Sequence, residues 1–147
     1  MTRFTLTGSL GSLLLAALFL LPANPVQADP AKAEACLSQL TPAVVSQGRR
    51  IRATDLTSAQ PREAVTYRLT LYKGLNYVLI GCADGDGVDL DMRLYDEAGD
   101  LVSGDGSPDN QPFVDVSPEK TGEYALQVIV YKAEGPTDFA LAVSYQD

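Results

Sequence analysis

Acidic side chains crowd one short stretch of this chain. From Gly81 to Asp96 it reads Gly-Cys-Ala-Asp-Gly-Asp-Gly-Val-Asp-Leu-Asp-Met-Arg-Leu-Tyr-Asp, with Asp84, Asp86, Asp89 and Asp91 close together. Asp105 and Asp109 follow in a polar loop that a folded-back sheet would bring near. As hard oxygen donors these carboxylates would suit calcium, which takes about 6–8 oxygens. As a pair they would suit glycoside hydrolysis, which needs two carboxyl groups at a set separation across a cleft, one with a raised pKa. The spacing is not that of an EF-hand: Val88 stands where a third aspartate belongs, and Tyr95 where the bidentate glutamate would be. The plainer reading is that the aspartates cap turns and accept backbone hydrogen bonds, with Arg68 or Arg93 as counter-charges. That reading leads. Calcium is the alternative, and a carboxylate-only glycosidase comes last.

Composition removes most other chemistries. The sequence contains no histidine, which excludes histidine acid–base catalysis, Ser-His-Asp and Cys-His nucleophiles, and most transition-metal sites. Two cysteines cannot build a structural zinc site by themselves. A net charge of -8 over 147 residues makes nucleic acid and anionic membrane poor partners. Seven tyrosines, four phenylalanines and no tryptophan are a weak basis for sugar stacking. Beyond the N-terminal segment there is no Ser-Lys pair, glycine-rich phosphate loop or Cys-x-x-Cys.

The acidic stretch needs a strand to hold it. Val88, Leu90, Met92 and Leu94 alternate with Asp89, Asp91, Arg93 and Tyr95, so both aspartates share one face, about 7 Å apart, and repel unless neutralised. Around that strand the chain divides in order. Residues 1–28 read as an export signal: Arg3 supplies the positive start, Leu13 to Leu21 an apolar run, and Val26-Gln27-Ala28 the cleavage positions. The run is too short to cross about 30 Å of hydrocarbon, so no membrane anchor is expected after cleavage. Residues 29–48 form the helical segment, capped by Asp29 with Pro30 in the first turn, broken or restarted at Thr41-Pro42 and ended by Gly48.

Residues 49–147 read as strands and turns. Arg49 to Thr54 is a charged edge strand, its Arg49, Arg50 and Arg52 solvated, and Asp55 to Pro61 a loop. Val65 to Tyr72 alternates, and Lys73-Gly74 turns it into Asn76 to Ala83 as a hairpin partner. That partner is apolar on both faces, so a further element should cover Val78, Ile80 and Cys82. The helix carries the other cysteine, and an exported chain with two cysteines favours a Cys36–Cys82 disulfide. Such a bridge closes a loop of about 45 residues and stabilises by about 4 kcal/mol through chain entropy. Short strands at Leu101 to Ser103 and Pro112 to Val116, the latter presenting Phe113, precede Glu123 to Lys132 and a last strand through Phe139 and Tyr145. Tyr67, Tyr77 and Tyr124 fall at core spacing. The expected fold is all-β: an antiparallel jelly-roll-like sandwich of about eight strands, with a short N-terminal helix packed outside.

Three pieces in order carry a family resemblance. They are Thr66-Tyr67-Arg68-Leu69-Thr70-Leu71 with Gly74 and Tyr77, then Asp89-Leu90-Asp91-Met92-Arg93-Leu94-Tyr95-Asp96 with Gly99, then Thr121-Gly122-Glu123-Tyr124 with Val128. From about Thr66 to Tyr145 the chain resembles the bacterial pre-peptidase C-terminal domain. The resemblance implies a jelly-roll-like fold beside secreted enzymes, many members being non-catalytic and some relatives binding calcium or extracellular polymers. No peptidase is attached in this sequence. The expectation is therefore a periplasmic or secreted, non-catalytic binding or accessory module whose ligand is an envelope protein or an extracellular polymer. The alternative is a calcium-stabilised polymer-binding module, with Asp84, Asp86, Asp89, Asp91, Asp105 and Asp109 as the metal ligands.

Overall fold

The computed structural model describes residues 27–147. The expected export signal, except for its last two residues, lies outside the described residues. One helix, α1 (Pro30–Ser46), precedes eight strands: β1 (Arg50–Ala59), β2 (Ala64–Leu71), β3 (Asn76–Ala83), β4 (Asp89–Tyr95), β5 (Leu101–Asp105), β6 (Phe113–Val116), β7 (Gly122–Lys132) and β8 (Thr137–Gln146). They form two antiparallel four-stranded sheets, ordered β1-β8-β3-β6 and β2-β7-β4-β5. The chain changes sheet at every connection except β4–β5, which is a hairpin within one sheet, and the topology is a jelly roll.

Alternating residues supply the main core. Leu90, Met92 and Leu94 of β4 meet Leu126, Val128 and Val130 of β7, with Leu79, Phe139 and Leu141 facing them from the other sheet. Tyr77 and Tyr124 are buried in this core as expected, and Tyr67 is half-buried against it. A second, smaller core lies on the outside of the first sheet. There Ala33, Leu37 and Val44 of α1 pack on Val78, Ile80 and Cys82 of β3 and Ala140 and Ala142 of β8. The apolar outer face of β3 required such a cover, and the helix provides it. Cys36 and Cys82 are disulfide-bonded across this layer, with Cα atoms 5.9 Å apart.

Three local expectations change. β3 is not the hairpin partner of β2: it pairs with β8 and β6, while β2 pairs with β7 in the other sheet. A strand buried on both faces belongs inside a covered sheet, so the Lys73-Gly74 turn carries the chain between layers. β1 continues through the segment read as a loop, from Arg50 opposite Tyr145 to Ala59 opposite Thr137. As an edge strand it has little burial and therefore no alternation to read. In β6, Phe113 is exposed and Val114 and Val116 point inward.

Pro42 does not break α1, which runs on to Ser46. Proline removes a helical hydrogen bond, yet the buried Val44 on its far side draws the last turn onto the sheet. The helix stops at Gly48, whose φ of 85° lies in the left-handed region, and Arg49 N–H returns to Val44 O at 3.2 Å. Among the described residues no helix is long and apolar enough to cross a membrane.

Candidate functional site

Among the described residues the second sheet, unlike the first, has no helix on its outer face. Register aligns Thr66, Gln127, Arg93 and Gly104 in one row across β2, β7, β4 and β5. On one side of that row lie Arg68, Ala125 and Tyr95, and on the other Ala64, Ile129 and Asp91. Small and polar residues make this a low surface ringed by longer side chains. Arg68 pairs with the Glu123 carboxylate rather than with an aspartate of the acidic stretch. A shallow depression of about 490 Å³, lined by Thr66, Arg68, Tyr95, Glu97, Glu123 and Gln127, opens on the face. Gly104 lets the edge strand close up: a Cβ there would lie 2.9 Å from Met92 O.

Asp89 and Asp91 sit at the end of this face, as the alternation of β4 requires. The Asp91 side chain is only 7% exposed, and Arg93 Nη2 is 3.6 Å from its Oδ2. Burial pushes the Asp91 carboxyl up, and the neighbouring Asp89 and Asp105 charges add to that against the opposing pull of Arg93. Asp89 Oδ1 is buried without a hydrogen-bond partner among the described residues. The loop after β5 does fold back to this end, as expected. Leu90 N–H donates to Asp109 O, Ala83 N–H to Asn110 O and Gly81 N–H to Pro112 O, each at 2.9 Å.

The six aspartates do not act as one group: three of them, Asp84, Asp105 and Asp109, serve the backbone. Asp105 accepts from Phe113 N–H at 2.9 Å and Ser107 N–H at 3.0 Å. Burial pushes its carboxyl up, but those amides and the Ser107 hydroxyl outweigh it and hold the group below the usual carboxylate range. Asp109 accepts from Gln111 N–H at 2.8 Å. Asp84 turns away to a different joint, accepting from Asp29 N–H at 2.8 Å and Asp138 N–H at 3.0 Å. Asp86 is exposed in the turn before β4. Among the described residues no group of three or more acidic or cysteine side chains is placed to hold one metal ion. The oxygens that Asp84, Asp105 and Asp109 turn to backbone amides are spent on the fold.

Two features escaped the sequence reading. The joint of Asp29, Asp84 and Asp138 joins residues 54 and 55 positions apart, and no periodicity marks it. Arg49 is buried rather than solvated, its guanidinium donating to the backbone and side-chain oxygens of Asn76.

The geometry defines a class: a jelly roll with one sheet sealed by a disulfide-linked helix and the other open. No family model and no curated protein matches the chain, so the pre-peptidase C-terminal resemblance finds no support there. A solved structure does share the fold. Aeromonas hydrophila PliG, a periplasmic lysozyme inhibitor of g-type lysozyme, matches with a TM-score of 0.51 and 18% identity, covering 68% of this chain and 90% of its own. At that identity the likeness establishes architecture.

Proposed function

We propose that this chain is an exported, non-catalytic module that binds another protein through the open face of its second sheet. We take the partner to be a basic hydrolase of the g-type lysozyme class. The observation that carries the reading is the asymmetry of the two sheets. One outer face is closed by α1 and the Cys36–Cys82 bridge, while the opposite face presents Thr66, Arg68, Arg93, Tyr95 and Gln127 to solvent. Three further facts support it. A disulfide suits an oxidising compartment outside the cytoplasm. Of the carboxylates a glycosidase would need, Asp105 and Asp109 accept backbone amides and Asp91 lies against Arg93. A net charge of -8 favours a cationic partner.

The experiment is direct titration of the purified protein against a g-type lysozyme, followed by calorimetry and by lysis of cell-wall suspensions. A 1:1 complex that slows lysis is expected. Replacing Gln127 with Arg and Thr66 with Tyr, which crowds the centre of the face, should weaken it at least tenfold while the thermal midpoint holds. Absence of binding at low salt, or hydrolysis of cell-wall glycan by the protein alone, would sink this reading.

A further inference from the structure

The amide of Asp29 has an unusual acceptor. It donates to Asp84 Oδ2 at 2.8 Å, and Asp138 N–H reaches the same oxygen at 3.0 Å. Asp84 N–H in turn donates to Asp138 O at 2.9 Å, so this carboxylate is anchored at the junction of the β3–β4 and β7–β8 turns. Asp29 is also the residue that follows Val26-Gln27-Ala28, the cleavage positions of the export signal.

We propose that Asp84 is the receiving site for the amino terminus that export creates. Cleavage between Ala28 and Asp29 would turn the Asp29 nitrogen into an α-ammonium, which Asp84 then holds as an ion pair that fastens α1 to the sandwich. The proposal rests on the export reading. The covalent step is ordinary hydrolysis by a signal peptidase. The C–N bond between Ala28 and Asp29 breaks, water's oxygen joins the Ala28 carbonyl carbon, and the nitrogen takes up protons to become ammonium while the new acid ionises.

Charge makes the acceptor matter. In the uncut chain the contact is an amide donating to a carboxylate, already charge-assisted; in the cut chain both partners are charged, which adds direct Coulomb attraction over the same contact. A free ammonium at the start of a helix opposes the helix dipole and would by itself loosen the first turn. Asp84 supplies the missing negative charge from another part of the chain. The Asp29 carboxylate is already occupied, accepting from Lys32 N–H at 3.3 Å and lying 3.4 Å from Lys32 Nζ. Beside the joint is a cavity of about 460 Å³, with Lys32 from α1, Asp84 and Val88 from the β3–β4 turn and Lys132 and Glu134 from the β7–β8 turn on its walls. The charged groups facing the new terminus are thus Asp29, Lys32, Asp84, Lys132, Glu134 and, behind Asp84, Asp138. Gln27 lines the same cavity and is exposed, so its removal takes away no core contact.

The test begins with the terminus of the exported protein. Sequencing should give Asp29 as the first residue. Another start overturns the proposal and leaves export standing, whereas failure of the full chain to reach the periplasm overturns the export reading beneath it. Stability is then compared between the authentic protein, a form with one alanine inserted between Ala28 and Asp29, and the authentic form acetylated at its α-amine. At pH 7 the authentic form should show an unfolding equilibrium constant about fivefold smaller than the other two. The advantage over the acetylated form is present below the ordinary α-amine value of about 8 and disappears as pH rises through the folded-state value above it. In an Asp84→Asn background the authentic form should lose this advantage, and the acetylated form, free of the ammonium's clash with the helix dipole, should be at least as stable. Equal stability of the three with Asp84 intact, at pH 7 and at high pH, overturns the proposal without reference to the substituted protein.

Discussion

Asp91 and Asp105 occupy neighbouring strands, yet their surroundings treat a negative charge in opposite ways. Burial and the Asp89 charge raise the Asp91 carboxyl, so the native state binds its proton more tightly than the unfolded chain does. Its contribution to stability is therefore full below the unfolded value of about 3.9 and falls as pH rises through the raised one. Asp91→Asn should raise stability at pH 7 by about 1 kcal/mol, and the gain should vanish near pH 3; urea unfolding at both values checks this. Asp105 behaves the other way. Its value is lowered, so its stabilisation is present above about 3.9 and is lost as pH falls through the lower, folded value. Asp105→Ala orphans the amides of Phe113 and Ser107 and should cost about 2 kcal/mol at pH 7, measured in the same way. The sequence made both residues visible as acids in one region. It could not show which oxygen each amide would take, because the donors, Ser107 in the β5–β6 loop and Phe113 at the start of β6, are placed by a loop without periodicity.

Among the elements, legibility followed burial. β4 and β7 have one face in the core and one in solvent, so their alternation identified both the strands and the faces. β3 and β8 are both buried on both sides; in β3 the lack of alternation called for a covering element, whereas β8 read as a strand through Phe139 and Tyr145 without showing that it too is covered. β1 has almost no burial and its second half read as a loop. Pairing was harder than existence: the short Lys73-Gly74 turn suggested a hairpin, whereas the β2–β7 and β3–β8 pairings join residues far apart in the chain. The disulfide is where helix and sheet meet, so it offers the test at this scale. Replacing both Cys36 and Cys82 with alanine removes a cross-link over 46 positions of sequence and should lower the unfolding free energy by about 3 kcal/mol. The main core between the sheets is separate from the helix-covered one, so strand circular dichroism should survive. Loss of the β signal at 25 °C would mean that the covering helix is required for the sandwich itself.

For the whole molecule, charge and shape point to the same face from different directions. The sequence conveyed the acidity and the two-layer class; it could not convey that one sheet would be sealed and the other left open, since that depends on where a disulfide carries the helix. On the open face the cations Arg68 and Arg93 are each close to a carboxylate, Glu123 and Asp91 respectively, so neither offers an unpaired positive charge. The excess negative charge is therefore a property of the molecule at large, and it acts on a partner before contact. That separation predicts a specific kinetic signature for the proposed complex with a basic lysozyme. The association rate should fall about tenfold between about 20 mM and 300 mM salt, because screening shortens the reach of the field to below 10 Å. The dissociation rate should hardly move, since the contacts that hold the complex are short-ranged and the cations of the face are already paired. Stopped-flow association with competitor-chased dissociation separates the two rates. If salt acted mainly on dissociation, the contact would instead be built on ion pairs formed across the interface, and the open face, its arginines already paired, would be the wrong surface.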